Sequence, residues 1–381
     1  MSSSFAARRP GNLHPQHPRP TIRPSFPGHG FQPLPAPTGA PPFHLDLADV
    51  LGPEKIKNIQ DAGKMVCHII GDTGGVKKPE PQQLVADGME KDSQQTDPDS
   101  VPAFCYHLGD VVYFNGEINE YLAQFYEPYE HYDAPIIAIP GNHDADPLPG
   151  STSLEGFLRN FCAKTATPTH ENGGTSRPAM TEPNVYFTLL TPLATFIGLY
   201  TNVPEGGQVQ PDQEDWFVKE LKNAPKDVPL FIAMHHPVYS LDNHHSGSQH
   251  MHDLITRAIA ASKRKPEMVF AGHVHNYQRF TQKDGNRETP FIVAGGGGYW
   301  HLHNMAKINN EPIIPPYVVP DSDVILENYA ADRHGFLRLE ITADLITGRY
   351  FTVPRPQESW SAPPKLEDFF QFDWKQRKLN R

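Results

Sequence analysis

104-FCYHLGDVVY-113 begins as an uninterrupted apolar run and ends in a polar turn. A run that short, with no polar alternation, suits a strand buried on both faces, and the turn offers a carboxylate at the strand's carboxyl end. The same texture recurs in Met65 to Ile70, Pro135 to Ile139, Phe187 to Leu190, Ala194 to Tyr200, Leu230 to Met234, Met268 to Ala271 and Phe291 to Ala294. Between these runs, 211-PDQEDWFVKELKNA-224 has helical spacing with Asp212 as its N-cap, and His252 to Ser262 reads as a second helix. Near the end, 335-GFLRLEITADLITGRYFTV-353 alternates on both sides of Ala343-Asp344, as a closing β-hairpin does. Strands alternating with helices predict an α/β domain, and this one is bounded at residues 44–355.

The flanks have a different texture. Residues 1–43 are dense in Pro, Gly, Ser and His without an apolar period, which predicts a disordered Pro-rich tail, and residues 356–381 read as a Pro- and charge-rich C-terminal tail. Three insertions, Val76 to Pro102, Ala145 to Pro183 and His301 to His334, are rich in turn formers and read as rim loops over a site. The formal net charge of -11 argues against a nucleic-acid surface, which needs clustered Lys and Arg. No apolar run approaches the ~18 residues of a membrane span, and no complete leader follows Arg8 and Arg9, so the expectation is a soluble, cytoplasmic protein. Cys67, Cys105 and Cys162 are too few for a disulfide framework; Cys67 and Cys105 sit in apolar runs and read as reduced, buried thiols.

Five of the strand-like runs end in a short polar motif: 71-GDTGG-75, 109-GDVVY-113, 141-GNHD-144, 232-IAMHHP-237 and 272-GHVH-275. Carboxylate, amide, phenol and imidazole are the donors that take hard or borderline di- and trivalent metals. Ligands in open α/β sheets gather at the carboxyl ends of strands, so segments far apart in sequence converge on one edge. Singly, each motif has a plain alternative, since Gly-Asp after a strand is usually a turn and a lone His usually a core or surface residue. Five after five strands leave coincidence as the plain alternative, and a shared metal site as the stronger reading.

In this order the motifs resemble those of the purple acid phosphatases within the calcineurin-like metallophosphoesterases, over roughly Met65 to Ala294. The wider superfamily carries Asp-x-His in its first motif. This chain has Gly74 where that His would stand, and Tyr113 three positions after the second-motif aspartate, the paired departure that marks the purple acid phosphatase branch. The resemblance implies a four-layer α/β/β/α sandwich of two mixed sheets in a single catalytic domain. It implies one metal held by Asp72, Asp110, Tyr113 and His275 and a second by Asp110, Asn142, His235 and His273, with Asp110 bridging. A phenol with a pKa near ~10 becomes a ligand when a strong Lewis acid displaces its proton, which favours Fe(III) beside Tyr113. The second position suits divalent Fe, Zn or Mn.

A trivalent and a divalent ion against two carboxylates, a phenolate and a hydroxide leave about one positive charge, which attracts an anionic ester. The implied activity is acid-phosphatase-type hydrolysis of small phosphate monoesters by a metal-bound hydroxide. The alternatives are a phosphodiesterase acting on cyclic nucleotides or lipid head groups with a divalent dinuclear centre, and a non-catalytic phosphate- or metal-binding module. The family places His143 against the substrate phosphate, and His244 and His245 resemble a pair that binds phosphate and protonates the leaving alkoxide, where histidine titrates in the right range. A solvated loop pair is the other reading of His244 and His245. His236 reads as packing behind the site, while His250, His252, His301 and His303 read as exposed, and Tyr299 and Trp300 as pocket walls. The run 295-GGGG-298 lacks the Gly-Lys-Ser/Thr of a P-loop and reads as a close backbone approach. Gln278, where many relatives carry an acid, predicts an altered contact behind the histidines of the fifth motif.

Overall fold

A computed structural model describes residues 34–147, 152–202 and 207–380. In chain order its strands are β1 (His44–Asp46), β2 (Lys64–Ile70), β3 (Phe104–His107), β4 (Ile136–Ala138), β5 (Phe187–Leu190), β6 (Thr195–Gly198), β7 (Leu230–Met234), β8 (Met268–Ala271) and β9 (Tyr277–Asp284). They continue as β10 (Arg287–Ala294), β11 (Lys307–Ile308), β12 (Glu311–Pro312), β13 (Tyr317–Val318), β14 (Val324–Ala330), β15 (Gly335–Thr342), β16 (Leu345–Thr352), β17 (Lys365–Asp373) and β18 (Lys378–Asn380). The helices are α1 (Leu47–Leu51), α2 (Pro53–Ala62), α3 (Glu80–Ser93), α4 (Asn142–Ala145), α5 (Glu155–Phe161), α6 (Pro211–Asn223) and α7 (Gln249–Ser262).

Two mixed sheets carry the fold. One has nine strands in the order β1-β5-β6-β7-β8-β10-β9-β14-β13, the other seven in the order β18-β17-β16-β15-β2-β3-β4. Most of the apolar runs pair in parallel, β2-β3-β4 in one sheet with β4 at its edge and β6-β7-β8-β10 in the other, while β5 pairs antiparallel with β6. Every residue of β3, β7 and β8 is buried, which is why those strands show no alternation. The sheets face each other across an aromatic seam: Tyr106 stacks on Phe196 with centroids 5.3 Å apart, and Tyr277 on Tyr350 at 3.9 Å. Packing of α6 on β6 beside α7, and of α3 on β15, supplies the outer layers of the α/β/β/α sandwich.

Several local expectations change. Gln210, not Asp212, caps α6; Pro211 takes the first helical position, where a missing N–H costs nothing, and Asp212 falls in the first turn. α7 starts earlier, at Gln249, because the Ser248 hydroxyl accepts the Met251 N–H at 3.3 Å. The insertion Val76 to Pro102 is no rim loop, since most of it is α3, whose Gly88 fits against Phe336 and Val353. The C-terminal residues read as a tail instead form β17 and β18, with Asp368, Phe370 and Phe372 buried at a period of two between half-buried Glu367, exposed Phe369 and half-buried Gln371 and Asp373. Asp368 crosses the seam to Arg279 at 2.6 and 3.0 Å. Of the N-terminal tail, residues 1–33 lie outside the described residues, while Thr38 and Gly39 donate to the Pro183 carbonyl at 3.0 and 2.9 Å and Trp216 donates to Pro42 at 2.7 Å. Cys67, Cys105 and Cys162 are free and buried, as their apolar surroundings imply. None of the helices among the described residues is long and apolar enough to cross a membrane.

Candidate metal centre

All five motifs meet at one edge of the seam. The seven-stranded sheet delivers Asp72 after β2, Asp110 and Tyr113 after β3, and Asn142 and His143 after β4; the nine-stranded sheet delivers His235 after β7 and His273 and His275 after β8. The edge is stitched across: the Asp72 carboxylate accepts the His273 N–H at 2.8 and 3.0 Å, and His235 donates Nδ1–H to the Leu108 carbonyl at 2.8 Å. That bond fixes the tautomer and turns Nε2 of His235 toward Asn142 Oδ1 at 3.0 Å and Asp110 Oδ2 at 3.3 Å. Nδ1 of His273 lies 3.0 Å from the same Asn142 oxygen, and Asp110, His235 and His273 have ligand atoms within 4.8 Å of one another. On the other side of Asp110, the Tyr113 hydroxyl lies 3.1 Å from Asp110 Oδ2, 3.2 Å from His275 Nε2 and 3.4 Å from Asp72 Oδ1. His275 is oriented by donating Nδ1–H to the His301 carbonyl at 3.1 Å.

Three of these residues hold backbone conformations that L-residues avoid: φ is 58° at Asp72, 56° at Asp110 and 68° at His273. Each turn aims a side chain back over the strand end that a regular continuation would send elsewhere. Gly74 explains the exchange of residues between the first two motifs. A Cβ there would stand 2.8 Å from the Tyr113 ring and 2.5 Å from Gln124 Oε1, so a side chain at position 74 and a phenol at 113 compete for one volume. Tyr113 is fixed in that volume by Gln124, which accepts its N–H at 2.9 Å and donates to its carbonyl at 2.8 Å.

Burial sets the electrostatics of this donor set. Burial pushes the Asp72 carboxyl well above its ordinary range, with His235 opposing and Asp110 reinforcing the rise. At Asp110 burial is outweighed by His235 and His143, which hold the carboxyl below that range. Burial disfavours a charged His235, yet Asp110 and Asp72 prevail and raise it to about 9. Burial and then the two carboxylates drive the Tyr113 phenol well up, while burial and neighbouring imidazoles push His273 and His275 well down. The carboxylates and imidazoles thus press on one another in a pocket of oxygen and imidazole donors, at mutual distances that metal ions span. The residues fit a dinuclear metal.

The family description "Calcineurin-like phosphoesterase" matches residues 65–277, more than half of the chain and all five motifs. The chain belongs to this family. Among calcineurin-like relatives, Fe(3+)-Zn(2+) purple acid phosphatase 12 of Arabidopsis thaliana is 29% identical over 247 residues, covering 59% of this chain and 46% of that protein. Probable purple acid phosphatase 20 of the same plant is 26% identical over 217 residues, covering 54% and 45%. The chain thus spans about half the length of the curated relatives it matches. The fold is shared with purple acid phosphatase PPD1 from yellow lupin seeds, at a TM-score of 0.57 and 17% identity over 82% of this chain and 55% of that one. PhoD has the same fold, at 0.52 and 13%, over 91% of this chain and 73% of that one.

Around this calcineurin-like centre, His143 is half-buried; its N–H reaches Asp110 at 2.8 Å and its Nδ1–H the Phe114 carbonyl at 2.8 Å. His244 is exposed and His245 half-buried, the His245 ring 4.5 Å from that of His273. His236 is buried behind the site, 2.7 Å from the Thr201 hydroxyl. The glycine run brings backbones together, Gly297 donating to Gly71 at 3.1 Å. Tyr299 lies on the Tyr113 ring, centroids 4.3 Å apart, with Trp300 beside it.

Three departures from the sequence reading matter here. His303 is not exposed but buried, stacked on His275 at 4.3 Å, because residues 303–306 are hydrogen-bonded to the chain around 241–243 and 275. Gln278 contacts no candidate ligand directly; it accepts the Leu241 N–H at 2.8 Å and donates to Asn276 at 3.0 Å, supporting the loop that carries His244 and His245. Asp144, the last residue of 141-GNHD-144, has a role that the motif alone does not reveal: it accepts the N–H groups of Val111, Val112 and Gly141 at 2.9–3.2 Å and locks two motif turns together. Burial and Asp110 raise its carboxyl to about 6 against those bonds.

Proposed function

We propose that this chain hydrolyses phosphate monoesters at a dinuclear centre of the purple acid phosphatase kind. The observation that carries the reading is the complementary fit of Gly74 and Tyr113, with the phenol oxygen set among Asp110, Asp72 and His275. Asp72, Asp110, Tyr113 and His275 would hold one ion, and Asp110, Asn142, His235 and His273 the other. A phenol held protonated by burial and two carboxylates would give up its proton to water only where a strong Lewis acid binds its oxygen, which favours Fe(III) beside Tyr113. The second ion is divalent, Zn, Fe or Mn; the Fe(3+)-Zn(2+) in the name of the Arabidopsis relative supports this pairing. When bound, the metals supply Lewis acidity and an activated water.

The side chains around them do the rest. His143, its ring pinned by the Phe114 carbonyl, binds the substrate phosphate, and His244 and His245 cover the ester and hand a proton to the leaving oxygen as the P–O bond breaks. Protein purified with iron is expected to show a broad tyrosinate-to-iron band that Tyr113→Phe abolishes, and to cleave monoesters faster than bis-esters. Two bound metals without that band, together with faster bis-ester cleavage, would make this a divalent-metal diesterase instead.

A further inference from the structure

Two distant chain segments are joined beside the centre. Asn243 donates to Asn304 at 2.9 Å, Ala306 donates to Leu241 at 2.7 Å, and Asp242 forms an antiparallel bridge with Met305. The junction gathers His244, His245 and His303, one ring nitrogen of each within 4.8 Å of the others. A single buried carboxylate organises all three. Asp242 Oδ1 accepts the His244 N–H at 2.6 Å and the His245 N–H, and its Oδ2 lies 3.4 Å from Nδ1 of His303. A carboxylate facing Nδ1 of His303 favours a proton on that nitrogen and leaves Nε2 to act as a ligand, while its backbone bonds hold His244 and His245 in place.

We propose that His244, His245 and His303 form a third metal site, separate from the dinuclear centre, for a divalent ion of the zinc class. Three imidazoles with an open fourth position suit zinc, and imidazole prefers such borderline ions to magnesium or calcium. The site stands close against the centre, the His245 ring 4.5 Å from His273 and the His303 ring 4.3 Å from His275. An ion held there occupies the histidines that would otherwise cover the substrate, so its binding and the ester's are mutually exclusive and excess zinc inhibits. That inhibition rests on the phosphoesterase reading; the binding does not.

Protein with both positions of the centre filled, dialysed against zinc alone and analysed for metal, is expected to hold a third equivalent. His244→Ala, at an exposed position, and His303→Ala should each lose that equivalent and keep the other two, and Asp242→Asn should hold it about 10-fold or more weakly. A wild type that stops at two equivalents, or variants that still take up a third, overturns the site. A third equivalent in a protein without esterase activity would leave the site standing and sink the proposed function.

Discussion

On one side of Asp110 stand a carboxylate, a phenol and an imidazole; on the other, an amide and two imidazoles. The second group is aimed by the strand ends themselves, through the Leu108 carbonyl and the turns around Asn142 and His273. In the first, Asp72 and His275 also follow strand ends, but Tyr113 depends on help from farther away, held by Gln124, whose own carbonyl accepts a bond from Gln82 of α3 at 2.6 Å. One half of the centre is therefore a property of the sheets alone, and the other needs a clamp added to them.

Asp110→Asn should erase the difference by damaging both halves: metal content and hydrolysis fall to background, and a variant retaining both ions in full would show that Asp110 is not shared. Gln124→Ala should separate the halves. It leaves the buried N–H and C=O of Tyr113 unpaired, at a cost of about 1–3 kcal/mol each in denaturant unfolding, and should weaken the tyrosinate band while the ion on the imidazole side stays. Gly74→Ala presses on both Gln124 Oε1 and the Tyr113 ring and should cost about 1–3 kcal/mol, with the band shifted rather than lost. The smallest effect on the centre is expected from acid acting on Asp368, which bonds Arg279 and Tyr277 across the seam. Burial would raise that carboxyl, but Arg279, Tyr277 and Asn328 outweigh it and hold it below its ordinary value. Its contribution is thus complete above pH ~4 and lost as pH falls through the depressed folded value. Melting curves should fall more steeply below that pH in wild type than in Asp368→Asn, whose metal content should match wild type.

The centre of the fold was legible because its strands are buried on both faces and so read as plain apolar runs, from Met65–Ile70 to Phe291–Ala294. β9 and β17 were not, because Gln278, Arg279 and Asp368 are polar residues buried by pairing with one another or with loops, which breaks the apolar signal. In the site, motif residues that follow strands were located by the strands. His303 had no such guide: its burial comes from the pairing of two loops that lie some sixty residues apart, and no local pattern encodes that. The Gly74 and Tyr113 exchange was visible as a pattern, whereas its cause, competition for one volume, needed coordinates.

The left-handed backbone at Asp72, Asp110 and His273 has an evolutionary side. Glycine would occupy each position with less strain, by about 1 kcal/mol or somewhat more. In a copy of this gene released from metal chemistry, His273 would accordingly be the first of the three to drift to glycine, because Asp72 and Asp110 also accept the N–H groups of His273 and His143 and their loss would leave those donors unpaired. Retired members of such a lineage would be recognisable by a glycine at that turn while both aspartates still stood.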